Sequence, residues 1–205
     1  MKKSRQLRLF PKSRRHAGGR PPNGDRAGVS HLRREALSRH HAVHVTLRTV
    51  ASVPGMRRQR AIQLIEEAFR AARVRFGMRI VHYSVQGNHL HLIVEAEDRT
   101  SLSRAMQGLA IRLAKALNRI FARKGQVWAD RYHAHVLRSR REAASALRYL
   151  LGNFARHAKQ WGDCAARPFA DVCSSVRFLG FATSDAPVAP PRTWLLRFGW
   201  RDDGP

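Results

Sequence analysis

The chain has 205 residues, 43% of them hydrophobic, which suits one domain with a sizeable core plus tails and excludes a wholly unfolded polymer. Its 39 lysines and arginines against 14 acidic residues leave a net charge of +25, and a compact chain so charged repels itself unless its partner is a polyanion. The longest apolar stretches are too short to span a bilayer, and the start MKKSRQLRLFPKSRR lacks a signal-peptide core, so the expected setting is the cytoplasm with no membrane partner.

Residues 1–40 hold twelve lysines and arginines against only Asp25 and Glu35, broken by the Gly/Pro-rich AGGRPPNGDRAG, and read as a flexible basic arm. From 41 the texture changes. Val43, Val45 and Leu47 alternate with His44, Thr46 and Arg48, the period of a half-buried strand. Over 57–76, Ile62, Ile65, Phe69, Ala72 and Phe76 recur at three and four, predicting a helix capped at its C-terminus by Gly77. Residues 78–85 and 89–96 read as strands joined by the turn QGN. From 101 to about 123, Leu102, Met106, Leu109, Leu113, Leu117 and Ile120 form one stripe of a long helix ending before Gly125. HAHVLR at 133–138 is a short strand, and Ser139 with Glu142 makes a capping box opening a third helix on Ala143, Leu147, Leu150, Leu151 and Phe154. Cys164 and Cys173, nine apart with no Cys-x-x-Cys partner, suit two reduced thiols.

This order of strand, helix, strand, strand, helix, strand is that of the split βαβ, ferredoxin-like α+β plan: an antiparallel sheet with helices on one face and the other face open. The domain spans 41–160, and 161–205 is an extension to which the sequence assigns no role.

Alternate strand residues share a face, so in GNHLHLIVEA His89 and His91 point to the open side while Leu90, Leu92 and Val94 point to the helices. Two readings stand: a pair of surface histidines, or two ligands to one divalent cation held at an angle fixed by the strand. On the third helix Tyr149 and Asn153 are four apart and lie on one side, off the apolar stripe. The Asn153 amide can supply a third ligand beside His89 and His91, with Tyr149 next to whatever oxygen fills the open positions. Tyr132 is the rival hydroxyl, in a loop with no amide beside it. His82, His133 and His135 read as surface or strand-edge groups. Arg104, Arg112, Lys115 and Arg119 lie on the polar side of the second helix, either a solvated face or a contact for DNA backbone. Tyr83 and Trp128 are core residues by default or base-stacking aromatics.

At these residues the chain resembles the single-tyrosine HUH transposases, in particular the REP-associated tyrosine transposases and their insertion-sequence 200-like relatives. GNHLHLIVE is similar to their His-hydrophobe-His strand, and YLLGNFARH to their catalytic helix, with an amide one turn after the tyrosine. The resemblance covers roughly 41–160; it departs in GNFARH, where Asn-Pro is common, and in lacking a methionine before the Asn-His turn. It implies the HUH endonuclease fold, with the tyrosine on a C-terminal helix, and cleavage and rejoining of single-stranded or hairpin DNA. It further implies a 5′-phosphotyrosine intermediate on Tyr149, a divalent metal (Mg²⁺ or Mn²⁺) and no ATP. The alternatives are a non-catalytic ferredoxin-like nucleic-acid-binding module, and a small-substrate metallohydrolase that would leave the +25 charge unexplained. The DNA hairpin recognised, continued mobility, and the choice between monomer and homodimer are not written in the sequence.

Overall fold

The computed structural model describes residues 29, 32, 34–160, 171–178 and 185–201, with backbone alone at 151 and 153–160. Most of the basic arm, Cys164, and the side chains of Leu151, Asn153 and Phe154 therefore lie outside the described residues. Among those described, no helix is long and apolar enough to cross a membrane.

Strands β1 (Ala42–Arg48), β2 (Val74–Arg75), β3 (Met78–Val85), β4 (His89–Ala96) and β5 (His133–Leu137) form one antiparallel sheet in the order β2-β3-β4-β1-β5. Helices α1 (Gln59–Ala72) and α2 (Arg99–Ile120) cover one face. Helix α3 (Arg140–Gln160) follows β5. The α+β split βαβ plan is the observed one. Val43, Val45 and Leu47 enter the core with Ile65, Phe69, Met106 and Leu109, as the period-two and helical stripes require.

Two boundaries differ from the sequence reading. Helix α1 stops at Ala72, and Phe76 (φ 52°) with Gly77 (φ 72°) forms the two-residue turn between β2 and β3. Positive φ at both central residues is the hairpin geometry that matches strand twist, so Gly77 serves a hairpin and not a helix cap. Phe76, expected on the apolar stripe, is 48% exposed. At the end of α2 the left-handed residue is Ala122 (φ 48°), three positions before Gly125. The start of α2 is capped by Asp98, whose carboxylate accepts from Ser101 N at 2.7 Å.

The capping box of α3 is formed: Ser139 N donates to Glu142 at 3.0 Å, and Glu142 N donates to Ser139 Oγ at 3.2 Å. Helix α3 lies on the second face, which the sequence reading left open. Ala146, Leu147 and Leu150 bury there against Ala42, Val81, Ile93 and Leu137. The reason is local. The face turned from α1 and α2 is polar at His89 and His91 but apolar at Ile93, and the α3 stripe needs an apolar partner of its own.

The described parts of 161–205 close a sheet edge. Because β2 has only two residues, most of β3 would expose unpaired backbone. Val85 N donates to Cys173 O at 2.9 Å, Ser84 bridges Ser174, and Ala189 N donates to Ile80 O at 2.7 Å. Side chains fasten this segment: Arg57 pairs with Asp171 at 2.6 Å, and buried Glu66 accepts from Tyr83 Oη at 2.6 Å and from Arg177. Tyr83 is fully buried against Phe69, so it is a core residue and not a base-stacking one. Trp128 donates its Nε1–H to Ala110 O at 2.9 Å and also packs on the core.

His82, on β3, lies 3.2 Å from Ser175 Oγ, and burial lowers its pKa from 6.5 to about 4. Above pH 6.5 the ring is neutral folded or unfolded and contributes no pH dependence. Below it the unfolded chain takes the proton first, so stability falls with pH until the folded ring titrates near 4. The loss expected from this group is about 3 kcal/mol at 1.36 kcal/mol per pKa unit. Urea unfolding at pH 7.5, 5.5 and 4.5 checks it: His82→Gln should flatten the decline, and an identical decline in both proteins refutes the assignment.

Candidate active site

The β1–β4 register places His91 opposite Thr46, Ile93 opposite His44 and His89 opposite Arg48; on its other side His91 faces Ser84 of β3. His91 is 6% exposed. Its Nδ1 is 3.2 Å from Thr46 Oγ1 and 3.3 Å from His44 Nε2, two contacts that fix the ring's orientation. His89 donates from Nδ1 to Asn88 Oδ1 at 2.6 Å. That hydrogen bond selects the tautomer with its lone pair on Nε2, the form in which imidazole binds a metal. The two rings are nearly parallel, 9° between planes and 6.0 Å between centroids.

Tyr149 reaches this pair from α3. Its ring stands edge-on to His91 at 90° with centroids 5.3 Å apart, and 6.1 Å from His44. The anchoring of Ala146 and Leu150 on the sheet holds this helical turn in place, and the tyrosine between them stays 38% exposed at the rim. Tyr149 and His91, 58 residues apart in the chain, thus meet at one point. Asn153 lies one turn on in α3, its side chain outside the described residues.

Among the described residues no three His, Cys, Asp or Glu side chains gather as a metal cluster. The donor chemistry, two imidazoles on one rigid strand with the His89 tautomer set for ligation, suits a divalent cation that takes oxygen atoms at its other positions.

The other predicted residues separate from this point. Tyr132 is buried in the α1/α2 core layer, its Oη 3.3 Å from Ser103 Oγ and its ring under the Arg34 guanidinium at 3.8 Å. Arg112, Lys115 and Arg119 line a groove of about 500 Å³ between α1 and α2, and Arg104 sits over Phe76 at 5.8 Å. The sheet stands between all four α2 residues and Tyr149. His133 and His135 are exposed on β5, with His135 opposite His44.

Sequence reasoning missed His44 and Thr46 as parts of the site. Their face was legible from the alternation of β1, but their neighbour was not. Burial, then the charges of His135 and His133, lowers the His44 pKa to about 4, so the ring is neutral at pH 7.

Residues 38–151, 114 of the 205, match the family described as transposase IS200 like; the span holds His89, His91 and Tyr149 and stops two residues before Asn153. No curated protein sequence matches the chain. Among solved structures the fold is similar to a REP-associated tyrosine transposase bound to a REP hairpin: TM-score 0.51, 18% identity, 72% of this chain and 82% of that one. A candidate transposase from Deinococcus radiodurans R1 is more distant, with TM-score 0.41, 12% identity, 65% of this chain and 96% of that one. The family match covers more than half of the residues and takes in the histidine strand and the part of α3 that carries Tyr149: the chain belongs to the IS200-like transposase family.

Proposed function

We propose that this transposase cleaves and rejoins single-stranded DNA, in hairpin or repeat form, with Tyr149 as nucleophile. The observation that carries the reading is the Tyr149 ring edge-on to His91 at 5.3 Å, two groups from distant parts of the chain on one face of the sheet. The hairpin preference is taken over from the REP hairpin bound by the structurally similar transposase.

Tyr149 Oη attacks the scissile phosphorus. The Oη–P bond forms and the P–O3′ bond breaks in line with it; the electron pair stays on O3′, which takes up a proton, while the phenolic proton leaves to water at the exposed rim. The products are a 5′-phosphotyrosine and a free 3′-hydroxyl. Because the bond is kept as an ester, rejoining is the reverse step and needs no ATP; the sequence has no P-loop motif. A phenol has a pKa of about 10, so only about one in a thousand is ionised at neutral pH. His89, His91 and Asn153 would hold a divalent cation, Mg²⁺ or Mn²⁺, which when bound supplies charge neutralisation at the phosphate oxygen. Thr46 and neutral His44 keep the His91 ring turned for that role.

The test is incubation with labelled hairpin oligonucleotides and Mg²⁺, followed by a denaturing gel. A DNA band linked to protein is expected. Oligonucleotides that bind tightly yet give no adduct would favour the rival reading, a binding module, although Tyr83 and Trp128 are engaged in the core and poorly placed to stack bases.

The α2 basic residues cannot touch the phosphate that Tyr149 attacks, so the role proposed for them is contact with more distant DNA backbone. Log affinity for single strands falls with log salt by about 0.7 per phosphate neutralised. Arg112→Ala combined with Lys115→Ala should therefore flatten that slope by about 1.4. An unchanged slope would leave them a solvated face.

A further inference from the structure

We infer that the cavity beside Tyr149 receives the base of the nucleotide that stays joined to the tyrosine after cleavage. This rests on the cleavage reading above and names the substrate group that the site grips. The cavity measures about 370 Å³, within the range of small-ligand sites and far too small for a duplex. Tyr149 is one wall. His44 and His135, paired across β1 and β5, form a second, and Arg141 and Ser145 of α3 a third. The floor is apolar, made by buried Leu137 and Ala146.

These surfaces suit a flat heteroaromatic group. The floor and imidazoles offer contact to its faces, and Ser145, Arg141 and Glu142 offer donors and acceptors to its polar edge. The same walls do not select a phosphate, because the Glu142 carboxylate offsets the Arg141 guanidinium. Glu142 lies on the cavity with its carboxylate held by Arg138 N and Ser139 N, and these hydrogen bonds lower its pKa, so it is an anion at neutral pH. With no net positive charge in the cavity to compete for it, the scissile phosphate stays on the side of Tyr149 where His89 and His91 would hold the cation, and the neutral base enters the cavity.

Stereochemistry decides which base. In-line displacement puts the departing O3′ across the phosphorus from Tyr149 Oη. A cavity walled by the tyrosine ring lies on the nucleophile's side, away from that leaving group. Its occupant belongs to the nucleotide 3′ of the broken bond, whose 5′-phosphate becomes the Oη ester. A base seated there would hold the cut end ready for rejoining and add a sequence preference at the first position after the cut.

The experiment uses the full chain and two hairpin oligonucleotides, one intact and one abasic at the nucleotide 3′ of the cleavage point, which is mapped from the released 3′-hydroxyl fragment. Wild type should show kcat/KM for adduct formation about 5- to 100-fold lower on the abasic strand, the range for loss of one base contact. Ser145→Phe, which fills the cavity from an exposed position, should erase the difference between the two substrates, and Ser145→Ala should keep it. Equal wild-type rates on both strands, or a preference that persists in Ser145→Phe, overturn the inference while leaving cleavage by Tyr149 standing. Absence of any adduct on the intact strand overturns the cleavage reading itself and this inference with it.

Discussion

Tyr149→Phe should form no covalent adduct with DNA while folding and binding DNA as wild type does. The substitution removes one hydroxyl from a side chain that is 38% exposed, so its effect on stability should not exceed about 1 kcal/mol. The ring keeps its edge-on contact with His91. Catalysis has no such reserve, because among the described side chains on this face Tyr149 is the only tyrosine, and a loss on the order of 10⁴-fold or more follows when a nucleophile is deleted. Tyr132→Phe is the matched control. Its hydroxyl lies in the opposite layer near Ser103, so the adduct should persist there with a small cost in stability. Asn153→Ala should weaken the reaction without abolishing it, since water can replace one neutral ligand on an ion that commonly keeps several. Mass spectrometry of the trapped adduct would settle the position. DNA on the peptide containing Tyr132, or an adduct surviving in Tyr149→Phe, would sink the assignment.

The second large effect belongs to the histidines. His89→Ala and His91→Ala should each reduce cleavage below detection, with EDTA doing the same to wild type, and Mn²⁺ titration followed by electron paramagnetic resonance should show weakened binding in both variants. They should differ in stability. The sequence reading put both rings on an open face, where truncation leaves no cavity; the structure buries His91 and surrounds it with Thr46, His44 and Tyr149. His91→Ala therefore removes a partner from two polar groups and should cost about 1–3 kcal/mol. His89, at the end of β4 and partly exposed, should cost little, which makes it the cleaner probe. Cleavage that survives EDTA and both substitutions would show that no metal is required.

By itself the sequence determined the face on which each strand residue stands and the side of α3 that carries the tyrosine. Period two in AVHVTLR and HLHLIV sets His44, Thr46, His89 and His91 apart from Val43, Val45, Leu90 and Leu92, because successive Cβ atoms must alternate. Spacing of four aligns Tyr149 with Asn153 for the same local reason. Helix ends were less legible: Gly77 fits a cap or a hairpin turn, and only the pairing of β2 with β3 selects the turn. Register was not legible at all. That Thr46 and His44 flank His91 depends on a strand some forty residues away sliding to one alignment, and no local preference encodes it. Likewise the sequence showed that α3 has an apolar stripe but not which surface receives it. The tertiary structure decided that α3 lies on the histidine face, because the opposite face was already filled by α1 and α2 while Ile93, Val81 and Leu137 remained to be covered. Burying those three residues under α3 is what brings Tyr149 to His91, so the candidate site follows from packing between elements distant in sequence.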